Sequence, residues 1–237
     1  MDELLDMIDA SFQRNSICLS PRQKEQFKIY CTFLLEYNKK VNLTALTQKQ
    51  EIIDMHFIDS LAAMHLPELI PNAICADIGT GAGFPGVPLA IARPDIQVAL
   101  IDSLKKRLIF LDELKSRLGV SNINTIHGRS EDLAHTKGLR ENFDCVFSRA
   151  VARMNVLSEY VLPFVKTGGY MLAWKGPAFA QELEEAKNAL MELGAAAEKI
   201  YTADLENRQH FIIAVKKTKA MQKKYPRQAG TPKRKPL

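Results

Sequence analysis

Ile74-Cys75-Ala76-Asp77-Ile78-Gly79-Thr80-Gly81-Ala82-Gly83-Phe84-Pro85-Gly86 is the stretch that decides how this 237-residue chain folds. Five mostly apolar residues that run straight into glycines predict a short buried strand ending in a tight loop. Pro85 and Pro88 then fit a helix only in its first turn, so a strand, a glycine loop and a helix start follow one another. Downstream the same alternation repeats. Gln97 to Ile101, Ile123 to Ile126, Cys145 to Phe147 and Tyr170 to Trp174 read as strands. Lys105 to Leu118 reads as a helix with an apolar stripe of Leu108, Ile109, Leu111, Leu114 and Leu118, and Glu182 to Leu193 as another closed by Gly194. Strands separated by helices of that size imply a parallel sheet covered on both faces. Glu198 to Ala203 and His210 to Val215 are joined only by Leu205-Glu206-Asn207-Arg208, too short for a crossover helix, so the last pair is expected to be antiparallel. The fold class is therefore α/β and Rossmann-like: a mostly parallel seven-stranded sheet ending in an antiparallel hairpin.

Two ligand chemistries compete for the glycine loop. Gly81-Ala82-Gly83-Phe84-Pro85-Gly86 satisfies the dinucleotide pattern G-x-G-x-x-G, but its first glycine falls late after a strand that ends near Ile78. The register Gly79-x-Gly81-x-Gly83 begins at the strand end and leaves Asp77 as the acid beside it. A pyrophosphate gains nothing from a neighbouring carboxylate, whereas the aminoacyl ammonium of S-adenosylmethionine does. This register predicts a class I S-adenosylmethionine-dependent methyltransferase fold with Asp77, Gly79, Gly81 and Gly83 at the cofactor. Asp102 closes the second strand, where an acid accepts ribose hydroxyls from either cofactor. Gly128-Arg129-Ser130-Glu131-Asp132 follows the third strand and is placed at the adenine. A methyltransferase with another RNA or a protein as substrate, a nicotinamide oxidoreductase and a non-catalytic RNA-binding protein of the same fold stay open as other readings.

Upstream, residues 1–66 read as a helical extension, with Ser20-Pro21 as a helix start and Phe27, Tyr30, Cys31, Leu34 and Leu35 along one face. Glu51 to Met64 is a further helix, with Ile52, Met55, Ile58 and Ala62 as its expected inner side. The nucleotide-binding domain spans 67–217, and a basic tail spans 218–237. From Lys216 onward the chain has nine basic and no acidic residues, leaving residues 1–215 with a net charge of −4. A basic arm on a mildly acidic body suits phosphates, so Lys175, Lys223, Lys224, Arg227, Lys233, Arg234 and Lys235 are RNA-binding candidates. The tail is expected to lie outside the nucleotide-binding core as an extended arm or ordered loop. Four widely spaced cysteines, an acidic start and the lack of a long apolar run predict a reduced, cytoplasmic protein that does not enter a membrane. No histidine spacing suggests a metal site, and a monomer is expected.

Taken together, several segments resemble the ribosomal RNA small subunit methyltransferase G family, also called glucose-inhibited division protein B. They are Asn42-Leu43-Thr44, His56-Phe57-Ile58-Asp59-Ser60-Leu61, the full loop Asp77 to Gly86, Asp102-Ser103 leading to Lys105-Lys106-Arg107, Ser148-Arg149-Ala150-Val151, Trp174-Lys175-Gly176, and Pro226 to Lys233. The resemblance implies methylation of N7 of a guanine in the decoding-region loop of 16S ribosomal RNA, with that RNA or the small ribosomal subunit as partner. It also implies cofactor contacts at Gly79, Phe84, Ser130, Glu131 and Arg149. Guanine N7 attacks with its own lone pair, so no residue is assigned as a general base; Arg149 is the candidate for positioning substrate or cofactor. Asn42, His56 and Asp59 are candidates for shaping the entrance of the target base.

Overall fold

Strand β1, Ile74–Ile78, lies inside the sheet, between β2, Gln97–Asp102, and β4, Phe143–Arg149. The computed structural model describes residues 2–205 and 208–237. The strand order is β3-β2-β1-β4-β5-β7-β6, with β3 at Ile123–His127, β5 at Val165–Lys175, β6 at Ala195–Leu205 and β7 at Arg208–Lys217. The first five strands run parallel, and β7 returns antiparallel to both β5 and β6. Winding reverses between β1 and β4, and that reversal leaves a crevice at the carboxyl ends of the two strands. Glu206 and Asn207 of the expected hairpin turn lie outside the described residues.

The period-two alternation of a strand sorts the core into two layers. Cys75, Cys145, Phe147, Leu172, Trp174, Ile212 and Ala214 point to one face, Ala76, Val146, Met171, Ala173, Ile213 and Val215 to the other. The first face is covered by α1, Glu3–Arg14, α2, Pro21–Asn38, α5, Gly86–Ala92, and α6, Lys105–Leu118. The second is covered by α8, Met154–Val161, with the single turn α7, Ser130–Leu133, beside it, and by two short helices, α9, Phe179–Glu185, and α10, Lys187–Glu192. The helix expected from Glu182 to Leu193 thus starts earlier and breaks at Ala186. In α6 the expected stripe is right except at Ile109, which is 52% exposed while Phe110 is buried. Phe110 stacks on Phe33 of α2, so the amino-terminal helices selected that flank of α6.

Ser20 caps α2 in a capping box with Gln23. The Gln23 amide also donates to the carbonyls of Ile91 and Ala92, and Gln26 donates to that of Leu118. Two side chains of α2 thereby satisfy carbonyls at the ends of α5 and α6 that no helical bond can reach. Residues 49–61 are helical throughout: α3, Lys49–Ile52, a π-helical turn Ile53–Ile58, and α4, Asp59–Leu61. The wider turn moves the buried face to Ile52, Ile53, Phe57, Ile58 and Leu61, so Met55 and Ala62, expected inside, lie off it. No described helix is long and apolar enough to cross a membrane.

The tail is folded onto the second face. Met221 and Tyr225 are buried in its core, and Arg140 donates to the carbonyls of Met221, Gln222 and Tyr225. Arg227 grips the fully buried Glu159 of α8 through its side chain at 2.6 Å and its backbone N–H at 2.7 Å. The chain then ends in α11, Thr231–Arg234, packed against α8. The expectation that the tail lies outside the core is therefore corrected: cations drawn along a sequence do not reveal the acids, Glu141, Glu159 and Glu192, that the fold brings against the tail.

Candidate active site

A cleft of about 370 Å³ opens at the carboxyl ends of β1, β2, β3 and β4. Gly79, Asp102, Ser130 and Glu131 line it, as do Arg107, Val151 and Tyr160. Of the residues expected at the cofactor, those four face it directly. Asp77, Gly81, Gly83, Phe84 and Arg149 are not among its lining residues.

Gly79, Gly81 and Gly83 all have positive φ, at +72°, +62° and +102°, which a side chain resists. Their surroundings differ. A Cβ on Gly81 would meet nothing closer than the Gly79 carbonyl at 3.9 Å, so it points into open space. A Cβ on Gly83 would lie 2.7 Å from both the Tyr30 hydroxyl and Val87 and 2.9 Å from Leu111. On its Cβ side Gly83 therefore belongs to the packing beneath the loop. Phe84 is likewise 5% exposed, stacked between Tyr30 and His56. Tyr30 donates to the Ala82 carbonyl at 2.5 Å, so α2 pins the glycine loop from the opposite side.

Asp77 does not line the cleft. Its Oδ2 accepts from the Thr80 hydroxyl at 2.8 Å and from the Gly86 amide at 2.9 Å, which closes the loop on itself. Its Oδ1 is buried and has no hydrogen-bond partner among the described residues. Burial pushes this carboxyl up to about 6, against the restraint of Thr80 and Gly86. This buried acceptor, one position before the cleft wall of Ile78 and Gly79, can take a hydrogen bond that no described residue donates.

Asp102 is 3% exposed and already engaged. It accepts from the amides of Gly81 at 3.0 Å and Leu104 at 2.8 Å, and pairs with Arg107 at 3.1 Å. Glu131 accepts from Ser130 and, at 3.0 Å, from the backbone N–H of Gly230 in the tail. Asp102 and Glu131 give the cleft an acidic wall, and Arg107 and the exposed Arg129 edge it.

Arg149 turns away from the cleft toward the amino-terminal helices. It pairs with the buried Asp59 at 2.7 Å, donates to the Met55 carbonyl and to His56 Nδ1, and lies 5.0 Å above the Phe84 ring. With Nδ1 accepting, the His56 proton sits on Nε2 and is donated to the Thr44 hydroxyl. Burial, reinforced by Arg149, lowers His56 to about 3 and keeps it neutral. Burial would raise Asp59, but His210 and Arg149 together hold it below its ordinary value. Two of the residues placed at a substrate entrance, His56 and Asp59, thus anchor the helix that covers β4; Asn42 stays exposed beside a separate cleft of about 820 Å³ near Thr44.

Lys175 also departs from its expected role. It is 8% exposed, bonded to Glu182 and to the Ala152 carbonyl, and so is unavailable to a phosphate. Arg227 is consumed by Glu159, and Lys224 pairs with Glu192. Lys223, Lys233, Arg234 and Lys235 are exposed, with no ion pair among the described residues. Sequence reasoning passed over Arg107, although it follows Asp102 by only five positions. It had no signal for Tyr30, Tyr160 or Gly230, whose partners lie far away in the chain.

The doubly wound sheet and its acid-walled crevice define the class: the chain has the fold of the class I S-adenosylmethionine-dependent methyltransferases. It is similar to M. jannaschii TYW2 in complex with AdoMet, with a TM-score of 0.56 at 16% identity, covering 72% of this chain and 77% of that one. It is also similar to a precorrin-6y C5,15-methyltransferase from Geobacter metallireducens, with a TM-score of 0.51 at 16% identity over 67% of this chain and 87% of that one. A family model described as "GidB: rRNA small subunit methyltransferase G" matches residues 23–212. Two proteins named ribosomal RNA small subunit methyltransferase G are similar over nearly the whole chain. That of Desulfitobacterium hafniense is 49% identical, covering 95% of this chain and 94% of its own, and that of Lactobacillus helveticus 46%, covering 94% and 95%. The chain belongs to the rRNA small subunit methyltransferase G family.

Proposed function

We propose that this protein transfers a methyl group from S-adenosylmethionine to N7 of a guanine in the decoding-region loop of 16S ribosomal RNA. The observation that carries the cofactor reading is the orphaned Asp77 Oδ1, buried beside a cleft whose wall already holds the carboxylates of Asp102 and Glu131. A cation carrying an ammonium group meets the chemistry of that donor set, and a pyrophosphate does not. Asp77 would hold the aminoacyl end, Gly81 leaves open space beside it, Gly79 lines the cleft, Asp102 faces the ribose, and Ser130 and Glu131 stand at the adenine. Because Asp102 is tied to Arg107, a ribose must share that carboxylate or displace the guanidinium.

S-adenosylmethionine held there would supply a methyl group on a sulfonium, which guanine N7 would accept on its own lone pair while the carbon–sulfur bonding pair stays on sulfur. No proton leaves the base, so the protein is asked only to align the partners. Its contribution is rigidity: Tyr30 and Phe84 fix the loop, and Arg149 with Asp59 and His56 fixes the helix over β4. Arg149 is on this reading a positioning residue. Mass-spectrometric mapping of 16S ribosomal RNA from a deletion strain, with and without the complementing gene, tests the assignment. Loss of one N7-methylguanosine that returns on complementation is the expected result; an unchanged modification pattern rejects it. For the cofactor, Asp102→Ala is expected to weaken binding by about 1.5–3 kcal/mol in calorimetry, and unaltered affinity would remove Asp102 from the ribose.

A further inference from the structure

A second concavity, a groove of about 540 Å³, lies beside the cofactor cleft and shares Val151 and Tyr160 with it. One wall is the segment after β4 and the start of α8, with Arg153 and Asn155; the other is the tail, with Lys233 and Pro236. We infer that this groove seats a nucleotide of the single-stranded RNA segment next to the target base, with the tail as one of its walls. The inference rests on the methyl-transfer reading above and names where that substrate lies.

Three observations support it. Continuity comes first: Val151 is 38% exposed and folds over Gly79, so whatever fills the groove abuts the cleft at the end of β4. Composition comes second. Val151 and Pro236 supply apolar surface and Tyr160 a half-buried ring, while Lys233 is an exposed cation without an ion pair among the described residues, and Arg234 and Lys235 follow it. A flat base joined to a phosphate presents the matching pair of features. The third is rigidity. The tail wall is held by Arg227 on Glu159 and by Gly230 on Glu131, so Lys233 is delivered to one place rather than carried on a loose arm. The acid at the rim, Glu185, is already paired with Arg153 at 2.6 Å and does not oppose a phosphate with a free charge.

Two variants of the full-length protein test the groove by different means. Lys233→Glu reverses its exposed charge, and Asn155→Trp fills it without changing charge. Lys223→Glu makes the same charge change on the tail but outside the groove and serves as the comparison. Methylation of small-subunit ribosomal RNA is followed with varied RNA, at several salt concentrations, and cofactor affinity is read by calorimetry. Lys233→Glu is expected to raise KM for RNA about five- to tenfold and lower the salt slope by about 1, with Lys223→Glu well below that. Asn155→Trp is expected to raise KM at an unchanged salt slope, and cofactor affinity is expected to hold in all three. Equal effects of Lys233→Glu and Lys223→Glu, with wild-type KM in Asn155→Trp, overturn the groove while the functional reading stands. A wild-type protein that transfers no methyl group to small-subunit RNA overturns both.

Discussion

The carboxylate of Glu131, in the wall of the cleft at the ends of β1 to β4, accepts a hydrogen bond at 3.0 Å from the backbone N–H of Gly230, 99 positions later in the chain. The basic tail is thereby tied to a residue of the cleft wall, although it does not line the cleft itself. Removing residues 229–237 leaves Tyr225 and the Arg227–Glu159 pair in place but strips Glu131 of this donor. Cofactor affinity is expected to fall about three- to tenfold in calorimetry, the scale of one hydrogen bond to a charged group that water partly replaces. Wild-type affinity in that truncation would separate tail and cleft.

Gly81 and Gly83 are two residues apart and are expected to fail differently when replaced by alanine. Gly81→Ala meets open space, so its folding cost is the left-handed backbone alone, about 1 kcal/mol, while its methyl group enters ligand space. Gly83→Ala drives a methyl group into Tyr30, Val87 and Leu111, and overpacking plus backbone strain is expected to cost roughly 2–4 kcal/mol. Urea unfolding and cofactor titration of both variants check the contrast. A Gly83→Ala protein as stable as Gly81→Ala would contradict the packing.

Asp77 is expected to make cofactor binding sensitive to acid. Its carboxyl is raised to about 6 in the folded chain from 3.8, so its contribution to stability is complete below pH 3.8 and is lost as pH rises through 6. That loss is about 3 kcal/mol and is absent in Asp77→Asn, which gains on the wild type in urea unfolding between pH 4 and 7. Cofactor affinity of the wild type should fall as pH drops below 6, because a protonated acid no longer attracts an ammonium. In Asp77→Asn the affinity should be low and flat over the same range. A wild-type affinity independent of pH between 5 and 7 would place the ammonium elsewhere.

Arg227 is expected to act on stability before it acts on RNA. Arg227→Met leaves Glu159 buried with no countercharge, a change that typically costs about 3–5 kcal/mol. The double variant Arg227→Met with Glu159→Gln should recover much of that loss, because the uncompensated charge is gone. Thermal unfolding of the single and double variants decides the matter. An Arg227→Met protein with wild-type stability but a reduced salt slope for RNA would return Arg227 to the phosphates.

Much of the fold was legible because it depends on near neighbours. The bounds of α6, Lys105–Leu118, the Ser20 cap of α2 and the run of short strands from Ile74 onward match what spacing alone implies. The hairpin of β6 and β7 followed from the shortness of its link. Errors came where a partner elsewhere chose the outcome. Ile109 and Phe110 both suit the edge of one stripe, and Phe33 on α2 settled which went inside. The π-helical turn at Ile53–Ile58 displaced the inner face of its helix, and no period of 3.6 anticipates an inserted residue.

By itself the sequence determined the strand–glycine loop–helix unit, the alternation that makes a parallel sheet, the acid at the end of β2 and the family to which those motifs belong. These rest on backbone sterics and on hydrogen bonds within a few residues, which local composition dictates. Only the tertiary structure decided that Gly83 and Phe84 face α2 rather than the cleft, that Arg149 serves Asp59 and His56, and that Lys175 and Arg227 are spent on Glu182 and Glu159. It also decided that Gly230 reaches Glu131. A side chain's charge or bulk is written in the sequence, but its partner is not: a cation binds RNA or a buried acid according to which surface the packed helices bring opposite it.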